Sequence, residues 1–282
     1  MFQAGLILEG GGMRGVYTAG VLDAFLENGI AFSSIYGVSA GACHASSFIS
    51  KQYGRAFRSC ADYVDKPEYM SFRNILRTGS MFSKEYVYST IPNVLDPFDY
   101  ETFRNYQGRF YAVLTDADTG EAVYVRVRDL KKQMWAIRAS ASLPLISKTT
   151  VVHGRAFLDG GIADSIPIRK SMSDGNVKNV VILTRELGYR KQPNKMMPLI
   201  KLRYPKSKGF VERAGDRYLR YNETLDFLAM EEQKGNVFVI QPDRKVEVSR
   251  TEKNRERLEA LYQEGLEDGR KSIDALKVYL ES

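Results

Sequence analysis

Short apolar runs alternate with helical periodicities along most of this chain. Ala4 to Leu8 is an unbroken apolar run and reads as a buried strand. Val16 to Asn28 has helical spacing at Val21, Leu22, Phe25 and Leu26 and stops at Gly29. Ser34 to Tyr36 is a second short β-prone run, followed by an Ala- and Ser-rich helix from Ala42 to Lys51. Lys51 to Asp96 reads as largely helical and irregular, broken at Pro67 and Gly79. Phe110 to Thr115 and Ala122 to Val127 predict strands around a turn, and Asp116, Asp118 and Glu121 at that turn read as a solvated hairpin end. A helix is expected from Leu130 to Ser142, then strands at Thr149 to His153, Arg155 to Leu158, Val177 to Leu183 and Asn236 to Gln241. Glu252 to Leu280 has helical spacing interrupted by Gly265 and Gly269, which predicts a terminal helix pair. Strands alternating with helices predict an α/β fold, a three-layer α/β/α sandwich around a mostly parallel sheet.

The 282 residues, 44% hydrophobic, suffice for a large core. Two cysteines, Cys43 and Cys60, have neither disulfide-framework nor metal-ligand spacing, so a reducing compartment fits best. The run Leu6-Ile7-Leu8 is too short for a signal peptide or membrane span, and a cytoplasmic protein is expected, with peripheral contact to a membrane left open. The net charge of +7 favours an anionic partner. From Arg185 to Tyr221, eleven Lys and Arg face three acids, interleaved with Met196, Met197, Leu199, Ile200 and Leu202. Such a segment suits an anionic bilayer surface or a lid, and equally a plain solvated face. No nucleic-acid-binding motif accompanies it.

Two glycine-bearing turns carry the chemistry. Gly37-Val38-Ser39-Ala40-Gly41 fits G-x-S-x-G between a strand and a helix, the sharp turn that exposes a serine at a helix N-terminus. Gly10-Gly11-Gly12-Met13-Arg14-Gly15 links the first strand to the first helix. It reads as a dinucleotide loop, as a nest of N–H groups for an oxyanion, or as a ligand-free helix entry. One strand-helix-strand crossover separates the two turns, so a parallel sheet makes them neighbours. Asp159-Gly160-Gly161 closes a later strand with an acid and a tight turn.

These blocks, with Ala139-Ser140-Ala141-Ser142-Leu143-Pro144 between them, stand in the order found in patatin-like phospholipases, and the sequence resembles a bacterial member of that family from about Ala4 to Leu183. The resemblance implies a lipid acyl hydrolase with a catalytic dyad: Ser39 as nucleophile, Asp159 as base, and oxyanion donors from Gly10 to Gly15, chiefly Gly11 and Gly12, backed by Arg14. The histidines fit this. His44 lies five residues past Ser39, rotated about 140° around the helix, and reads as a packed, hydrogen-bonded residue. His153 precedes Asp159, whereas the α/β-hydrolase triad has its histidine last. The scheme calls for a lipid or acyl-ester substrate and for no metal or cofactor. Residues 4–185 form the expected catalytic core, with the basic part 186–282 packed on the same domain. The rival readings are a nucleotide-binding protein using the glycine loop and a catalytically silent membrane-surface protein of the same fold.

Overall fold

Strand β1 (Phe2–Leu8) is apolar on both faces because helices cover both. The computed structural model describes all 282 residues. Leu6 and Leu8 point into a large cluster with Ile35, Val180 and Ile182, against helices α1 (Val16–Glu27), α2 (Ala40–Ile49), α3 (Arg55–Ala61) and the C-terminal helix. Ile7 points the other way, with Tyr36, Val181 and Val237, into a smaller cluster. The outcome is the three-layer sandwich expected from the strand and helix pattern.

β1 pairs in parallel with β2 (Phe32–Val38) on one side and β7 (Lys178–Ile182) on the other. β3 (Arg109–Asp116) extends the sheet beyond β2 and β8 (Val237–Ile240) beyond β7, both parallel. β4 (Ala122–Arg126), β5 (Thr150–Val152) and β6 (Arg155–Asp159) join antiparallel. One detail of register builds the site. β4 covers one edge of β3 from Tyr111 to Thr115, so β2 and β6 share the other edge. They run toward each other along it: Val38 pairs with Val113 and Asp159 with the next residue, Leu114. The chain positions just after β2 and at the end of β6 are thereby forced together, although 120 residues separate Ser39 from Asp159.

The connections carry the remaining helices. Between α3 and β3 lie α4 (Phe72–Thr78), a wide π-type helix (Tyr86–Leu95) and α5 (Tyr100–Arg104). α6 (Leu130–Ser140) follows β4, and α7 (Ile168–Ser173) follows β6. After β7 come α8 (Met197–Arg203), α9 (Lys208–Gly215) and α10 (Arg217–Gln233), and after β8 the long α11 (Arg255–Glu281). No helix is long and apolar enough to cross a membrane.

Two local expectations need correction. The terminal helix pair is one uninterrupted helix, α11, because Gly265 and Gly269 are contact points rather than breaks. A β-carbon at Gly265 would lie 2.1 Å from the Tyr17 carbonyl oxygen, and one at Gly20 would lie 2.2 Å from that of Tyr262, so α1 and α11 cross backbone to backbone. The hairpin acid Asp116 is not solvated. It is buried, accepts the N–H groups of Asp118 and Thr119 at 3.0 and 3.1 Å, and pairs with Arg155 at 2.7 Å.

Candidate active site

Ser39 stands between β2 and α2 with φ 54° and ψ −121°, a backbone conformation that side-chain-bearing residues rarely adopt. The surroundings hold it there. Its N–H donates to Ser140 Oγ at 2.8 Å, and that hydroxyl donates to the Val113 carbonyl at 2.7 Å, so a fully buried serine ties the turn to β3. The glycine loop closes from the other side. A β-carbon at Gly10 would lie 2.7 Å from Ser39 Cβ, and Gly12 has φ 59°, which suits glycine alone without strain. The Met13 N–H is committed to the Arg250 carbonyl at 3.1 Å.

Asp159 is held on every side but one. Its N–H donates to the Ser142 carbonyl at 2.9 Å, its carbonyl accepts the Thr115 hydroxyl at 2.7 Å, and Oδ1 accepts the Gly161 N–H at 2.8 Å. Oδ2 is buried without a hydrogen-bond partner. Burial raises the proton affinity of this carboxyl above the ordinary range; the nearby Ser39 hydroxyl, Arg217 and the Gly161 N–H pull it partly back. The Ala139–Pro144 stretch thus fixes both partners, Ser39 through Ser140 and Asp159 through Ser142.

Ser39 opens into a cavity of about 150 Å³, in which 15 of 23 lining residues are hydrophobic, among them Met13, Phe82, Tyr88, Ile91 and Leu143. The π-type helix supplies Tyr88 and Ile91 to this wall. His44 is buried under the glycine loop with Nε2 unpartnered, in contrast to the hydrogen-bonded histidine expected, and burial lowers its pKa to about 4. His153 is exposed in the β5–β6 turn, at the end of β6 remote from Asp159. Neither histidine bonds to Ser39 or Asp159.

Sequence reasoning missed the polar frame behind the loop. Glu9, buried at the end of β1, accepts the Thr184 N–H and hydroxyl at 2.7 and 2.9 Å and the Tyr221 hydroxyl at 2.7 Å. Cations crowd around it. Burial, with Arg185 and Arg250 nearby, lowers Arg14 to about 10, and burial beside Arg217 lowers Lys191 to about 6. The basic run from Arg185 to Tyr221 is therefore not simply a solvated face: Lys191 and Arg217 turn inward. Single residues so far apart in sequence leave no local pattern, and only the charge run hinted at them.

Residues 6–171 match the family model described as patatin-like phospholipase, and residues 207–281 match a domain of unknown function, DUF6363. An uncharacterised Escherichia coli protein, YjjU, is 32% identical over 200 residues, 65% of this chain and 53% of its own length. The chain thus spans about half the length of that curated relative. VipD from Legionella pneumophila aligns over 98% of this chain and 67% of its own with 14% identity and a TM-score of 0.49.

Proposed function

The chain belongs to the patatin-like phospholipase family, and from that premise we propose that it is a serine-dependent lipid acyl hydrolase working through a Ser39–Asp159 dyad. The observation that carries this reading is the head-to-head approach of β2 and β6 along β3, which sets the Asp159 carboxyl near the Ser39 hydroxyl, with Ser39 opening on an apolar cavity. In the first half-reaction Ser39 Oγ bonds to the ester carbonyl carbon as its proton passes to Asp159. The carbonyl electron pair moves onto oxygen, where the N–H groups of Gly11 and Gly12 receive it; the Met13 N–H is already taken. Collapse breaks the bond to the alcohol, which leaves with the Asp159 proton. Water, deprotonated by Asp159, then cleaves the acyl-enzyme by the reverse sequence.

A carboxylate is a poor base in water, with a pKa of about 3.9. Burial strengthens this one, and an acyl chain filling the cavity would exclude water further. Arg14 backs the glycine loop with positive charge. The lipid-facing surface we assign is α4, which has no buried residue and leaves Phe72 and Leu76 78% and 88% exposed beside Arg73 and Arg77. Its two flanks, Tyr69 and Phe82, line the cavity. The exposed Leu199 and Leu202 of the basic segment offer a second contact with an anionic bilayer.

Hydrolysis of an ester series of graded acyl length tests the reading. Ser39→Ala should abolish turnover, Asp159→Asn should lower it at least about a hundredfold, and the His44→Ala, His153→Ala double variant should keep most of it. A dead histidine variant beside an active Asp159→Asn would overturn the dyad.

A further inference from the structure

A second cavity, of about 420 Å³, lies behind the Asp159 turn, between the segment Asp164–Ser173 and helices α9 and α10. It therefore joins the region matched by the phospholipase family to the region matched by the domain of unknown function. Five cationic side chains line it: Arg169, Lys170, Arg213, Arg217 and Arg220. Two acids stand among them, near Arg213 and Arg220, and neither forms an ion pair with any of the five. Asp164 accepts the Tyr124 hydroxyl at 2.7 Å, and burial raises its proton affinity; Glu223 is exposed and forms no ion pair.

The cations divide by what already holds them. Lys170 pairs with Asp174, Arg220 donates to the carbonyls of Ile162 and Arg213, and Arg169 lies 4.0 Å over the Phe227 ring. Arg213 and Arg217 have no carboxylate partner, and the Nε atoms of Arg213 and Arg220 are buried with no acceptor. Arg217 donates only to Ser165 Oγ, at 3.3 Å. Its Nη2 would stand 2.9 Å from a β-carbon at Gly161, so the cavity is one side chain away from Asp159. Arg213 on α9 and Arg217 on α10, both without a carboxylate partner, converge with Arg169 on α7 and fit an acceptor with several oxygens and more than one charge. At about 420 Å³ the cavity leaves room beyond a bare phosphate.

We propose that this cavity is a binding site for a phosphate group, held by Arg169, Arg213 and Arg217, on free phosphate or on a phosphorylated alcohol such as a lipid headgroup. Calorimetric titration of the full chain with inorganic phosphate tests it without relying on any esterase activity. One site is expected, weakened at least about tenfold in Arg213→Gln and in Arg169→Gln, and unchanged in Arg250→Gln, which lies on the serine side. Glycerol 3-phosphate binding more tightly than phosphate would identify a headgroup as the source, and equal affinity would identify the free ion. Absence of binding, equal binding by both cavity variants, or loss of binding in Arg250→Gln instead would overturn the proposal.

Discussion

Ser140→Ala removes one oxygen atom and tests how the nucleophile is held. Ser140 Oγ accepts the Ser39 N–H at 2.8 Å and donates to the Val113 carbonyl at 2.7 Å in a fully buried setting. Alanine leaves the Ser39 N–H without a partner and deprives the Val113 carbonyl of a donor, which should cost about 2–3 kcal/mol of stability. The bond also restrains a residue whose backbone strain is of similar size, about 1–3 kcal/mol, so the turn should relax when it is lost. A displaced hydroxyl should then react about 10- to 100-fold more slowly with a fluorophosphonate. The assay pairs urea unfolding with the rate of covalent labelling at a temperature where both proteins are folded. Ser142→Ala is the control. Its hydroxyl bonds the Arg138 carbonyl and Thr150, and the carbonyl that holds Asp159 is backbone and survives the change. It should lose about 1 kcal/mol and keep the labelling rate near wild type. A Ser140→Ala protein that labels as fast as wild type would show that this bond does not position the nucleophile.

Three further outcomes follow from the packing and the ionisations. Gly265→Ala should lower stability by about 3 kcal/mol because its β-carbon would meet the Tyr17 carbonyl at 2.1 Å; a rise in melting temperature, as helix propensity alone would give, would contradict the α1–α11 crossing. His44 is held neutral by burial with a pKa near 4, so between about 6.5 and 4 the unfolded state binds the extra proton and stability falls as pH drops. His44→Gln should remove about 2 kcal/mol of that acid loss, read as the difference between urea midpoints at pH 7 and pH 4.5; an unchanged difference would show that His44 does not titrate in this window. Asp159 must be ionised to accept the Ser39 proton, and burial raises its pKa. Labelling should therefore increase with pH through a midpoint above the ordinary value of about 3.9, and a pH-independent rate down to that value would count against it as the base.

The motifs legible in the sequence were those whose constraints are local. A glycine loop after an apolar run and a small-residue turn before a helix impose backbone conformations within five or six residues, so Gly10–Gly15 and Gly37–Gly41 can be read directly. Asp159 was visible as an acid at a strand end, but its approach to Ser39 depends on the register of two strands along β3, from Val113 to Leu114, which no single segment encodes. Gly265 and Gly269 misled because their helix-weakening tendency, about 1 kcal/mol each, is outweighed by close packing on α1. The charge of the Arg185–Tyr221 run was plain, whereas the inward turn of Lys191 and Arg217 follows from where α10 packs. Glu9, Thr184 and Tyr221 meet from three distant parts of the chain, each as an ordinary residue in its own neighbourhood.

The central claim is that Asp159 activates Ser39, and fluorophosphonate labelling followed by intact mass and peptide mapping tests it most directly. A single adduct is expected, on Ser39, forming at least about a hundredfold more slowly in Asp159→Asn and at near wild-type rate in the His44→Ala, His153→Ala double variant. An adduct on another serine, or equal labelling of Ser39 in wild type and Asp159→Asn, would contradict it.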